Sequence, residues 1–189
     1  MNRLKETRGM KTGMFSRIFV FICVLFLAGF LFAGSVFGLE LRSSAFKNGE
    51  FIPARYAGRG EDVSPSLSWS GAPKETRSFV LIMDDPDAPM GTWVHWVVYN
   101  IPADAKGLEE NVPPKAVLNN AAMQGVTSFR RIGYGGPSPP PGPAHRYFFK
   151  LYAIDVKLDL PPGAIKSAVI RAIKGHVLEE AQLEGLFKR

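Results

Sequence analysis

The chain has 189 residues, enough for one ordinary domain and little else. Its hydrophobic content of 46% suits a packed globule. The excess of 23 basic over 17 acidic residues is lopsided and is concentrated at the N-terminus.

Residues 1–17 carry Arg3, Lys5, Arg8, Lys11 and Arg17 against Glu6 alone. Residues 18–38 carry no charge. A basic stub followed by an apolar run is a membrane-targeting pattern and is set aside from the fold. The run is long enough to cross a bilayer as a helix. Its last third, with Gly29, Ala33, Gly34, Ser35 and Gly38, also supplies the small residues a signal peptidase requires. Residues 1–38 are therefore read as a signal peptide or a membrane anchor, and residues 39–189 as one domain. Either reading places that domain outside the cytoplasm, exported to the periplasm or beyond, since the basic stub stays inside.

Setting the stub's five cations and one anion aside leaves 18 basic and 16 acidic residues. That near-neutral balance gives no reason to propose a nucleic-acid partner. The single cysteine, Cys23, lies inside the apolar run, so the domain has no thiol chemistry and no disulfide.

From residue 39 to about 161 the pattern predicts short strands separated by proline and glycine turns. Residues 78–83 (SFVLIM) form a continuous apolar run that suits a buried strand. Residues 93–99 (WVHWVVY) are apolar on both faces, and residues 145–155 (HRYFFKLYAID) make a third strand. The intervening 132–143 (IGYGGPSPPPGP) is too rich in Gly and Pro to form a ladder, and its fixed backbone is stiff. After residue 161, Ile165, Val169, Ala172 and Ile173 recur at helical spacing. Gly175 is expected to separate this helix from a second, spanning 176 to about 183. The fold class is mostly β with C-terminal helices.

Two of the three histidines stand in the central strands. Period-two alternation puts His95 on the face of Trp93 and Val97, with Val94 and Trp96 opposite. His145 and Tyr147 project side by side at i, i+2. Asp84, Asp85 and Asp87 follow the first strand in a loop whose Pro86 and Pro89 restrict the residues before them. A carboxylate beside imidazoles favours their cationic form, which would attract a phosphate or carboxylate. His176, on the C-terminal segment, is read as structural.

In these residues the sequence resembles the phosphatidylethanolamine-binding protein family, in particular its bacterial and archaeal Raf-kinase-inhibitor-like branch. The similarity runs from about Phe46 to Lys188, through IPARYAGRGEDVSPSLSWSGAP, DDPDAPMGTWVHWVVYNIP, GYGGPSPPPGPAHRYFFKLYAID and AIKGHVL. The resemblance implies a large central β-sheet packed on a smaller one. It implies a small surface pocket lined by Asp85, Asp87, Pro89, Trp93, His95, Ser138, His145 and Tyr147, with residues 136–140 on its rim. Such pockets hold phosphate, phosphoryl head groups or carboxylates, and no cofactor is expected. The stretch 121–131 departs from the family pattern.

A non-enzymatic binding or regulatory protein is the leading expectation, because no Gly-x-Ser-x-Gly elbow and no cysteine nucleophile is present, and Ser138 lies between prolines. Inhibition of an extracellular protease is the alternative protein-partner reading. A metal-assisted hydrolase using two His and one Asp is the enzymatic one. Membrane contact is expected only through an uncleaved N-terminal segment.

Overall fold

The apolar run at 78–83 becomes the middle of the molecule. In a computed structural model, which describes residues 38–189, it forms strand β4 (Ser78–Asp85), every residue of which is buried. Residues 1–37, nearly all of the stretch read above as a signal peptide or membrane anchor, lie outside the described residues. The other two expected strands also form, and β5 (Trp93–Pro102) and β8 (His145–Ile154) pair antiparallel on either side of β4.

The large sheet is completed by three further strands. Its order is β2 (Glu50–Phe51), β9 (Val177–Phe187), β8, β4, β5 and β7 (Met123–Gln124). A second sheet of three strands runs in the order β1 (Glu40–Ser43), β3 (Leu67–Ser70) and β6 (Gly107–Leu108). Alternation along β4 divides the core in two. Phe79, Leu81 and Met83 pack with Leu41, Leu67, Trp69 and Leu108 from the small sheet. Val80 and Ile82 pack with Val97, Tyr99, Ile154, Val169 and Ile173 on the other face. Each fully buried aliphatic or aromatic side chain contributes about 1.5–3 kcal/mol relative to exposure, so two covered faces explain why β4 carries no alternating polar positions.

Helix α1 (Lys166–Ile173) forms where the periodicity predicts it, burying Val169 and Ile173. It stops before Gly175, whose φ of 85° is the left-handed conformation that ends helices without a Cβ penalty.

The second helix expected over 176–183 is not there: from Val177 onward that stretch belongs to β9. Leu178, Glu179, Glu180, Ala181, Gln182 and Leu183 are all residues that favour helix on intrinsic grounds. Tertiary pairing overrides that preference. The flank of β8 away from β4 would otherwise expose a row of unpaired backbone groups, and β9 satisfies them in continuous antiparallel register from Ala153↔Glu179 to His145↔Phe187. Ala181, Leu183, Gly185 and Phe187 then fall on one face, the period of a strand. Gly185, opposite Tyr147, is needed for close approach, since a Cβ there would stand 2.5 Å from Ile52 Cγ1 and 2.8 Å from Phe46 Cε2.

Candidate functional site

The end of β4 and the starts of β5 and β8 meet at one end of the large sheet. Asp85 ends β4, Trp93 begins β5 directly across from it, and His145 begins β8. The β4–β5 pairing steps from Met83↔Trp96 to Asp84↔Val94, leaving His95 as the extra residue of a β-bulge. This corrects the simple alternation. Trp93 and His95 do share a side, but Val97 packs into the helix-side core and Trp96 into the inter-sheet core. A bulge re-aims a side chain where strict alternation would have turned it elsewhere.

Asp85 is the joint of the site. Its Oδ1 accepts the backbone N–H of Asp87 at 2.8 Å, and its Oδ2 faces His145 Nδ1 at 2.8 Å. Both side chains of that pair are buried. Asp87 takes the next residue of β8: its carboxylate accepts the Arg146 backbone N–H at 2.9 Å, Nε–H at 2.9 Å and an Nη2–H at 2.7 Å. The Arg146 hydrogen bonds hold the Asp87 carboxyl down to about 2. Two aspartates flanking Pro86 thus clamp two successive residues of β8.

His95 is held differently. Its Nδ1 lies 2.6 Å from the Gly135 carbonyl, and the Gly135 N–H returns to the His95 carbonyl at 3.0 Å. Phe129 and Tyr147 meet its ring edge-to-face, both with centroids at 5.2 Å. Burial pushes the imidazole below its ordinary value, outweighing the Gly135 carbonyl and the Asp85 charge that pull the other way. The expectation that both imidazoles are cationic therefore fails at His95, because desolvation penalises the charged ring. In the pH range just below about 6.5, where an unperturbed histidine gains its proton, the unfolded chain binds more protons at His95 than the folded one. Stability from this residue is full above about pH 6.5 and is lost as the pH falls below it. Denaturant unfolding at a series of pH values is expected to show a shallower acid loss for His95→Gln than for wild type, and equal slopes would contradict this.

A cavity of about 250 Å³ opens beside these groups, lined by Asp85, Ala88, Pro89, Trp93, His95, Phe129, Ser138, Pro139, Pro140 and His145. Six of the eight residues expected at the site line it. Asp87 does not, because its carboxylate is spent on Arg146. Tyr147 does not either. It is fully buried, and its hydroxyl has no hydrogen-bond partner among the described residues. Burial and the nearby Asp85 charge push that hydroxyl well above its usual range, so it stays a neutral phenol.

Three contributors were not anticipated. Phe129 walls the cavity, edge-on to Trp93 at 5.4 Å and beneath the Arg131 guanidinium at 5.5 Å. Asp62 accepts the Gly136 N–H on Oδ1 at 2.6 Å and an Arg131 Nη2–H on Oδ2 at 2.5 Å. Arg131 and Asp62 thereby fix the loop that carries Gly135 and the proline rim. A phenylalanine in an otherwise polar turn was the available signal for Phe129. Asp62, 23 residues before Asp85 in the chain, gave none.

A family model described as phosphatidylethanolamine-binding protein matches residues 42–188. A UPF0098 protein of Methanothermobacter thermautotrophicus is 52% identical over 151 residues, covering 80% of this chain and 99% of the relative. Escherichia coli UPF0098 protein YbhB is 35% identical over 157 residues, with 79% and 99% covered. Among solved structures, a putative phosphatidylethanolamine-binding protein homolog from Chlamydia trachomatis, CT736, superposes with a TM-score of 0.73 at 38% identity. E. coli YbcL, described as a new member of the mammalian PEBP family, gives 0.75 at 30%. Each alignment covers 80% of this chain and 98% of the other.

Proposed function

The chain belongs to the phosphatidylethanolamine-binding protein family, and on that premise we propose that it is a non-enzymatic binding protein whose pocket takes a small anionic group: phosphate, a phosphoryl head group or a carboxylate. The observation that carries this reading is the buried Asp85–His145 pair at the cavity wall. With Nδ1 committed to Asp85, His145 has Nε2 left for a ligand, and in its cationic form the ring would offer an anion both a second N–H and a charge. The Ser138 hydroxyl adds a donor, while Trp93, Phe129 and the prolines supply apolar walls for the carbon substituent of the anion. A cavity of about 250 Å³ lies below the roughly 300–1,000 Å³ that drug-sized ligands occupy, which favours a head group.

Turnover has no comparable support. Among the described residues no group of three or more His, Cys, Asp or Glu side chains is placed to hold a metal ion. Ser138 lies between prolines, and both cavity histidines have Nδ1 committed, to Asp85 and to Gly135. The basic stub and apolar run support an exported location for the domain.

Isothermal titration with phosphate and phosphoethanolamine tests the pocket. His145→Ala is expected to weaken binding at least about tenfold, the loss of one charge-assisted hydrogen bond. Equal affinity for both proteins would sink the assignment.

A further inference from the structure

Two buried polar groups on the cavity wall present lone pairs rather than protons. The Gly135 carbonyl can only accept, so the proton in its contact with His95 belongs to Nδ1. Enclosed edge-on by Phe129 and Tyr147, with 3% of its surface exposed, the ring is pushed by burial toward its neutral form, and a neutral ring protonated on Nδ1 carries a lone pair on Nε2. Nε2 has no protein partner among the described residues. The reciprocal Gly135 N–H to His95 carbonyl bond fixes the backbone behind it, so the tautomer cannot be exchanged by a small loop shift.

Asp85 is the second acceptor. It is 3% exposed and lines the same cavity. Its two oxygens receive one hydrogen bond each, from Asp87 N–H and from His145, and a carboxylate with about four lone-pair sites keeps one spare even with the nearby Tyr147 hydroxyl turned toward it. An oxyanion seated against His145 would thus meet a carboxylate and an imidazole lone pair on its other side. An oxyanion without a proton sets lone pair against lone pair there. One that carries a proton turns the same contact into a hydrogen bond.

From this geometry we infer that the pocket selects a proton-bearing oxyanion. The ligand class is hydrogen phosphate or the monoprotonated form of a phosphate monoester, its P–OH donating to His95 Nε2 or to Asp85 while an unprotonated oxygen faces His145. The inference rests on the small-anion reading and narrows it. Phosphate monoesters lose their second proton near pH 6, so the protonated form is abundant at mildly acidic pH. Sulfate has the same tetrahedral shape and carries no proton there. A site built to hydrogen-bond a ligand hydroxyl rejects analogues that lack it, because its buried polar groups are left unpaired.

Calorimetric titration at about pH 6 with inorganic phosphate, methyl phosphate, sulfate and dimethyl phosphate tests the inference. Dimethyl phosphate is a monoanion with no P–OH, so it separates the proton from the charge. Phosphate and methyl phosphate are expected to bind at least about tenfold more tightly than sulfate and dimethyl phosphate. His95→Gln, which can present an amide N–H in place of the lone pair, is expected to narrow the gap between phosphate and sulfate. Sulfate binding as tightly as phosphate would overturn the selectivity and leave the small-anion pocket standing. Binding of none of the four anions would overturn the pocket reading itself, and the inference with it.

Discussion

Gln124→Ala is expected to be among the most destabilising single changes in the domain, at about 2–4 kcal/mol. Gln124 is fully buried on the edge strand β7. Its Oε1 accepts the Trp96 indole N–H at 2.7 Å, and its Nε2 donates to the carbonyls of Pro113 and Lys115, both at 2.8 Å. Truncation strands the Trp96 N–H in a site with no exposure, and one unsatisfied buried donor costs about 1–3 kcal/mol before the cavity is counted. It also frees the 113–115 segment from β7. Urea unfolding of wild type and variant measures the loss. A pairwise test isolates the donor: Trp96→Phe placed on Gln124→Leu removes the stranded N–H. The double variant should therefore be less destabilised than the sum of the two single ones. Strict additivity would show that the Trp96–Gln124 bond is not what Gln124 contributes. The consequence reaches the site, because Trp96 adjoins the bulged His95.

How much of the fold and the site is legible in the sequence depends on the range of the interaction that decides each element. The strands around 78–83 and 93–99 are decided by burial on both faces, which composition alone displays, and the one around 145–155 by alternation, one face buried and the other half-exposed. Helix α1 is decided by a local apolar stripe and ended by Gly175. Strand β9 is decided by the needs of β8, whose hydrogen bonds lie some 30 residues away in sequence, so its helix-forming residues point the wrong way. At the site, Asp85, Trp93, His95 and His145 are legible as residue types beside constrained loops. Their division of labour is not. Whether Asp85 serves His95 or His145 depends on a one-residue bulge, and whether Asp87 faces the ligand depends on Arg146, its partner across the chain. Both are facts of register that no local pattern encodes.

The rim loop gives the second large effect. Gly136→Ala is expected to lower stability by about 1–3 kcal/mol and to weaken phosphate binding about tenfold or more. A Cβ at Gly136 would press on the Tyr56 carbonyl oxygen and stand 2.8 Å from both Ala57 C and Gly58 N, all of them backbone atoms. That backbone cannot retreat freely. The Tyr134 hydroxyl donates to the Tyr56 carbonyl at 2.8 Å, Gly58 N–H donates to the Pro137 carbonyl at 2.9 Å, and Gly136 N–H is held by Asp62 at 2.6 Å. The loop must therefore move outward. Its displacement pulls on Gly135, which fixes the His95 ring, and on Ser138, Pro139 and Pro140, which line the cavity. Gly49→Ala is the control. Gly49 has a φ of 78° but nothing within 4 Å of its Cβ position, and it lies outside the cavity lining. It should show backbone strain in its unfolding midpoint with unchanged phosphate affinity. Loss of stability without loss of binding in Gly136→Ala would mean that the rim does not position His95.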